Sequence, residues 1–222
     1  MKSLLLGTEA LSLLEKEGFP VLMSLLAADA ESAVDAAVQI GYPVTLKVSS
    51  QDVIHKTEIH GIRLSIKSDQ EVVRTFNELT SAFVREHPGK KLDGIIVQQD
   101  GKGFEVIVGV SNDAQFGPIL MFGPGGIFVE AIRDVSFRLI PIKPFDAKDM
   151  IVELKNYDAL KNPRDGTTDL AAVEQLLCRI SEYVSDHPEI QEMDLNPVFV
   201  LSRGVSICDA RISLSNNPTA EP

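Results

Sequence analysis

The stretch Phe116–Pro141, FGPILMFGPGGIFVEAIRDVSFRLIP, decides how the chain is read. Pro118 to Phe122 is a short apolar run of the kind that forms a buried strand. Gly123-Pro124-Gly125-Gly126 interrupts it, and a second apolar run, Ile127 to Val129, ends on Glu130. Glycine has no Cβ, so three in four residues let the backbone take positive φ or approach another group closely. Such a turn either links two strands tightly or points successive N–H groups at an anion such as phosphate. It fits neither the Walker pattern nor the GxGxxG fingerprint, so the flanking chain has to decide between the two.

That chain has 222 residues, 44% of them hydrophobic and 24% charged, with a formal net charge of −11. It can bury a core for one or two domains. A chain this acidic is poorly suited to sequence-independent nucleic-acid binding, although net charge says little about any one cleft. Cys178 and Cys208 are far apart and form no CxxC, which argues against a disulfide scaffold or a zinc site. The first apolar run is short and is followed by Glu9, unlike a secretory signal, and no run reaches membrane-spanning length. The expectation is a cytoplasmic protein that binds neither nucleic acid nor membrane.

Patterning predicts alternating helices and strands, hence α/β or α+β layers. Helices are expected over Thr8–Gly18, Ala30–Ile40 capped by Asp29, from Ser68 to about His87, Asp146–Lys155 and Asp169–Asp186. Ser68 with Glu71 reads as a capping box in which Glu71 reaches back to the Ser68 N–H. Strands are expected at Val21–Leu26, Val44–Val48, Ile62–Ile66, Gly94–Gln99, Phe104–Val110, Pro197–Leu201 and Val205–Cys208. The last two form a hairpin through Ser202-Arg203-Gly204. Asp100-Gly101-Lys102-Gly103 is either a hairpin turn or a crossing between two parts of the fold.

Several side chains could carry chemistry. Lys47 lies inside an apolar strand, where an ammonium needs a partner or a route to water; it is either a snorkelling strand-end lysine or a cation over nucleotide phosphates. His55, in the polar loop Ser49–Gly61, is either a solvated histidine or a nucleophile that accepts a phosphoryl group. Asp194-Leu195-Asn196-Pro197 and Asp209-Ala210-Arg211 flank the last hairpin. Asn196 and Asp209 could meet there as hard oxygen ligands for Mg²⁺, or could simply be turn residues. Glu105 heads the strand FEVIVGV.

With these residues in place, the sequence resembles the ATP-grasp subunit of ADP-forming acyl-CoA synthetases, the β subunit of acetate–CoA ligase (ADP-forming), relatives of succinyl-CoA synthetase. The likeness is carried by GYPVTLKVSSQDVIHKTEIHGIRL (41–64), FEVIVGVSNDAQFGPILMFGPGGIFVEAIRDVSFRLIPI (104–142) and MDLNPVFV with GVSICDARI (193–200 and 204–212). It implies an α+β ATP-grasp fold of two lobes, 21–99 and 100–214, after an N-terminal helical segment, 1–20, and before a polar tail, 215–222.

The resemblance also implies roles. Lys47 would contact ATP phosphates. Gln98 and Gln99 would lie near the adenine, Glu105 near the ribose or phosphates, and Gly125 and Gly126 would shape the phosphate end. Asn196 and Asp209 would hold Mg²⁺, and His55 would relay a phosphoryl group to or from ATP or ADP. The partner implied is a CoA-binding α-type subunit, two of each chain in the complex, without which this chain is inactive. A non-catalytic ATP/ADP-binding regulatory module is the alternative. The chain departs from the family in the shorter, more polar crossing segment QQDGKGFE (98–105) and in NPRDGTT (162–168), which stands where the family has an RG-containing loop.

Overall fold

Two units fold around separate cores: Leu22–Gly101 is one, and Met1–Val21 with Lys102–Pro222 is the other. The computed structural model describes residues 3–52, 61–125, 134–163 and 166–215.

The small unit is a four-stranded antiparallel sheet. Its strands are β2 (Ser24–Ala27), β3 (Val44–Ser49), β4 (Ile62–Ile66) and β5 (Gly94–Gln99), in the order β2-β5-β3-β4. Helices α2 (Ala30–Ile40) and α3 (Asp69–Glu86) cover one face. Val44, Leu46 and Val48 of β3 and Ile95 and Val97 of β5 pack there against Ala33, Ala37, Val72, Phe76, Leu79 and Phe83. Because strand side chains alternate in direction, residues 45, 47, 96 and 98 belong to the other face. Asp29 caps α2 by accepting from the Ser32 N–H at 2.8 Å, as its sequence position suggests. Ser68 caps α3 from the Glu71 N–H, but the Glu71 carboxylate takes the Lys67 N–H, at 2.8 Å, rather than that of Ser68.

The large unit carries β1 (Ser3–Leu6), α1 (Thr8–Lys16), β6 (Phe104–Asp113), β7 (Gly117–Pro124), β8 (Ser136–Leu139), α4 (Pro144–Val152), α5 (Tyr157–Lys161), α6 (Leu170–Asp186), β9 (Ile190–Val200), β10 (Val205–Ile207) and β11 (Ala210–Leu214). Its antiparallel sheet runs β1-β11-β9-β6-β7-β8, with β10 paired to β9. Helices α1, α4 and α6 bury Leu14, Met150, Leu177 and Ile180 against Val106, Val108, Phe122 and Leu195. The N-terminal segment is tied in twice. Strand β1 pairs with β11 along its whole length. Arg179 of α6 donates to the Gly18 and Glu17 carbonyls past the end of α1, and its guanidinium lies 4.6 Å from the Phe19 ring centre.

Several expectations shift. Strands β5 and β6 belong to different sheets, so Asp100–Gly103 is a crossing and not a hairpin turn. Helix α4 begins two residues before Asp146, because Pro144 suits a first turn and Asp146 accepts the Lys143 N–H at 2.8 Å. It ends at Val152, and the short α5 follows after Asp134 fixes the Lys155 and Asn156 N–H groups, each at 2.8 Å. The first strand of the small unit is Ser24–Ala27 rather than Val21–Leu26; Val21 instead bridges to Ile207 in the large unit. Strand β9 extends back to Ile190, so Asn196-Pro197 is not a turn. Among the described residues no helix is long and apolar enough to cross a membrane.

Two described glycines of the Gly-rich run serve close approach, not positive φ. A Cβ on Gly123 would stand 2.7 Å from the Asp134 carbonyl oxygen and 2.8 Å from Val135 Cγ1. A Cβ on Gly125 would stand 3.1 Å from Glu105 backbone and side-chain atoms, and the Gly125 N–H donates to the Glu105 carbonyl at 2.7 Å. Gly123→Ala should therefore destabilise the chain by about 1–3 kcal/mol through overpacking against main chain, read as a lower urea midpoint with unchanged slope.

Candidate functional site

In the small unit, pairing sets Ser24, Gln98 and Thr45 side by side across three strands, with Lys47 next along β3 opposite Ile96. All lie on the sheet face away from the helices. Lys47 is 7% exposed and Gln98 1%. The Gln98 amide Nε2 donates to Ser24 Oγ at 2.7 Å, and the Ser24 hydroxyl donates to the Leu22 carbonyl at 2.9 Å. Gln98 is thus held by the sheet itself, whereas Gln99 points outward and uses its N–H on the Met23 carbonyl at 2.9 Å. The structure brings Lys47 and Gln98 to one face. His55 lies outside the described residues, as do Gly126 and Glu130.

In the large unit, β9 buries Met193 and Leu195 and turns Asp194 and Asn196 outward. Two residues of β9, Asn196 and Pro197, oppose the single residue Ile107 of β6. This is a β-bulge, where a strand tolerates a residue that donates no ladder hydrogen bond and can re-aim a side chain. Leu195 pairs with Ala210 and Asp194 with Arg211. One step further, the Asn196 N–H donates to the Asp209 carbonyl at 3.1 Å. Asn196 and Asp209 are therefore neighbours in register although 13 positions apart in sequence. The Asp209 carboxylate accepts the Ala210 N–H at 3.0 Å. Glu105 is exposed on β6, opposite Phe199, and its main chain carries Gly125.

Electrostatics mark the same spot. Surrounding protein displaces water from Asp194 and pushes its carboxyl above the usual aspartate value; Arg211 pulls it down and Asp209 pushes it further up. Asp194 itself reaches the surface, so the shift reflects crowding around an accessible group. Among the described residues no group of three His, Cys, Asp or Glu gathers as a metal cluster. The oxygen donors of Asn196 and Asp209, with Asp194 at hand, instead fit a hard divalent cation that takes its remaining ligands from water and phosphate.

Sequence reasoning passed over Ser24, Ser65 and Asp100. Ser24 and Ser65 are ordinary strand residues by pattern, and their partners are 74 and 35 positions away.

The ATP-grasp domain family matches residues 1–214. The acetate–CoA ligase (ADP-forming) II of Archaeoglobus fulgidus is 44% identical over 210 residues; the match covers 94% of this chain and 30% of that relative, so the chain spans under a third of its length. The acetate–CoA ligase (ADP-forming) II subunit beta of Pyrococcus furiosus is 40% identical, with 93% of this chain and 89% of that one covered. A solved structure of the dinucleotide-forming acetyl-coenzyme A synthetase 1 of Ca. Korarchaeum cryptofilum, with coenzyme A, Ca-AMPCP and HgCl⁺, has a TM-score of 0.91 at 40% identity, covering 96% of this chain and 93% of that one. Another structure of that enzyme, with coenzyme A and Mg-AMPPCP, has its phosphohistidine segment pointing towards the nucleotide binding site; its TM-score is 0.83 at 38% identity, with coverage of 96% and 93%.

The Ser24–Gln98 bond generates a test within the small unit. Ser24→Ala should cost about 1–2 kcal/mol, the order expected when a buried donor loses its acceptor, while Ser24→Thr, which keeps a hydroxyl, should cost less. Thermal melts of the two variants against wild type check the order.

Proposed function

This chain belongs to the ATP-grasp domain family, among the ADP-forming acetate–CoA ligase β subunits, and from that premise we propose that it is the nucleotide-binding subunit of an ADP-forming acyl-CoA synthetase. The overall reaction is acyl-CoA + ADP + phosphate ⇌ carboxylic acid + CoA + ATP. The observation that carries this reading is the register of β9 with the chain entering β11, which makes Asn196 and Asp209 neighbours on the outward face of a sheet whose Glu105 and Gly125 are bonded to each other. Relatives that the chain covers nearly whole are ligase subunits, which favours catalysis over a purely regulatory nucleotide module.

Phosphoryl transfer asks the protein mainly for positioned charge and in-line geometry. Lys47 holds the nucleotide phosphates as a cation that the strand keeps away from bulk water. Gln98 and Gln99 lie toward the adenine, and Glu105, Gly125 and Gly126 toward the sugar and phosphates. Asn196 and Asp209 hold Mg²⁺, which when bound neutralises phosphate charge. His55 is the relay. An imidazole nitrogen attacks the phosphorus of a phosphorylated intermediate, forming P–N as the P–O bond to the leaving carboxylate breaks. A terminal oxygen of ADP then attacks the same phosphorus, breaking P–N, freeing the imidazole and giving ATP. The phosphohistidine segment of the Korarchaeum enzyme supports this assignment.

A CoA-binding α-type subunit completes the reaction, two of each chain in the complex, and the assembly is cytoplasmic. Mixing the chain with such a subunit should give co-elution and ligase activity that neither has alone. With labelled ATP and the partner present, wild type should acquire acid-labile phosphate and His55→Ala none, while nucleotide affinity stays within about threefold. Label persisting in His55→Ala removes the relay. Asp209→Asn, which removes the charge of the ligand, should weaken Mg-nucleotide binding by roughly 10- to 100-fold or more, since losing even an outer hydrogen-bonding partner of a metal ligand costs that much, as measured by calorimetry.

A further inference from the structure

The polar crossing segment after β5 is tied into the small unit. Asp100, the residue before the last one of the small unit, accepts three hydrogen bonds from two other strands. Thr45 Oγ1 donates at 2.6 Å, the Ser65 hydroxyl at 3.0 Å and the Ser65 N–H at 3.3 Å. Two irregularities converge on this contact. Leu64 and Ser65 of β4 together oppose Thr45 of β3, so β4 bulges at this position. Ser65 also has φ +56°, the only positive φ outside glycine among the described residues. A non-glycine residue in the left-handed region persists only where its surroundings hold it there, and such residues concentrate at functional positions. Here the bulge turns both donors of Ser65 onto one carboxylate.

The placement is informative. Thr45 is two residues before Lys47 on the same strand and face, and it is opposite Gln98 in register. Asp100 directly follows Gln98 and Gln99. The geometry points to Asp100 as a positioning residue for nucleotide binding: a pin that fastens the end of β5 to the Lys47 strand, through Thr45 and Ser65, and so fixes where the Lys47 ammonium and the two glutamines stand. The Asp100 charge makes these hydrogen bonds stronger than neutral ones, and a shared acceptor couples the three strands. The inference rests on the proposed nucleotide-binding function and adds the device that sets its geometry.

The test uses the full chain with Mg-AMPPCP as ligand, at a temperature where every variant is folded by circular dichroism. Asp100→Ala should weaken binding about tenfold, and Thr45→Val and Ser65→Ala by about threefold each. The double variant Thr45→Val/Asp100→Ala should bind no more weakly than Asp100→Ala alone, because the two groups act through one contact. Asp100→Asn, which keeps an acceptor for Thr45, should recover part of the loss. Leu79→Ala, in the helix-side core of the same unit, serves as the comparator: it should lower the melting temperature without changing affinity. If Asp100→Ala lowers the melting temperature and leaves affinity at the wild-type value, the pin is structural only and the inference fails. It fails equally if the double variant is additive. A wild-type chain that binds no Mg-AMPPCP overturns the proposed function, and the pin with it. A wild type that binds as tightly as Asp100→Ala overturns the pin alone.

Discussion

A pleated strand presents successive side chains to opposite faces, and that constraint decides which residues in both units are available for chemistry. In β3 the buried set is Val44, Leu46 and Val48, so Thr45 and Lys47 have to share the other face. In β9 the buried set includes Met193 and Leu195, so Asp194 and Asn196 have to point away. The apolar residues therefore do two things. They supply the burial that holds each sheet against its helices, and they fix by parity the side on which every polar residue stands. A slip of one residue in either strand would send the lysine or the asparagine into the core, where an uncompensated charge or amide is costly.

Alternation alone would leave these faces regular, and each unit breaks it beside its polar residues. In β9 the break is Asn196-Pro197 opposite Ile107, and in β4 it is Leu64-Ser65 opposite Thr45. A bulge adds a residue without shifting the rest of the strand, so the core keeps its register while one side chain is redirected. Proline at position 197 is compatible with this because the bulge leaves a ladder position without need of its N–H. The Gly-rich run achieves closeness in another way. With no Cβ at Gly123 and Gly125, the end of β7 lies against the Asp134 and Glu105 main chains, which brings Gly125 to the strand that bears Glu105.

What the sequence made legible follows the range of the interactions. Asp29 and Ser68 cap their helices as read, because an N-cap acts within three or four residues, and Asp169, read as the first helical residue, is the cap of its helix. The strands β3, β4 and β5 and the β9–β10 hairpin were visible in short-range alternation and turn residues. The pairing of Ser3–Leu6 with Arg211–Leu214 was not, since nothing in a short apolar run specifies a partner some two hundred residues away. Asn196-Pro197 looked like a turn because Asn-Pro usually is one; only the pairing of both flanks of β9 with β6 shows the strand running through it. The hinge-or-hairpin alternative at Asp100–Gly103 was likewise undecidable from spacing, because it depends on which sheet each flanking strand joins. Lys47, Asn196 and Asp209 could be named as candidates by chemistry. That Asn196 and Asp209 are neighbours is a property of the β9–β11 register.

The register also bears on the proposal that this corner of the large unit holds a cation. Crowding by protein adds to the cost of charge on Asp194, and the nearby Asp209 carboxylate adds to it further. Arg211, paired with Asp194 across the strands, offsets part of that cost. A sheet selected only for stability would place an apolar or neutral residue at such a position, because a partly desolvated carboxylate beside another carboxylate is electrostatically unfavourable. Retaining two acidic groups and an amide oxygen there makes sense if a positive ion joins them, since the same field that penalises the carboxylates alone then favours them together with the ion. The unfavourable electrostatics of the bare chain and the proposed affinity for a phosphate-bound cation are thus traced to one strand pairing.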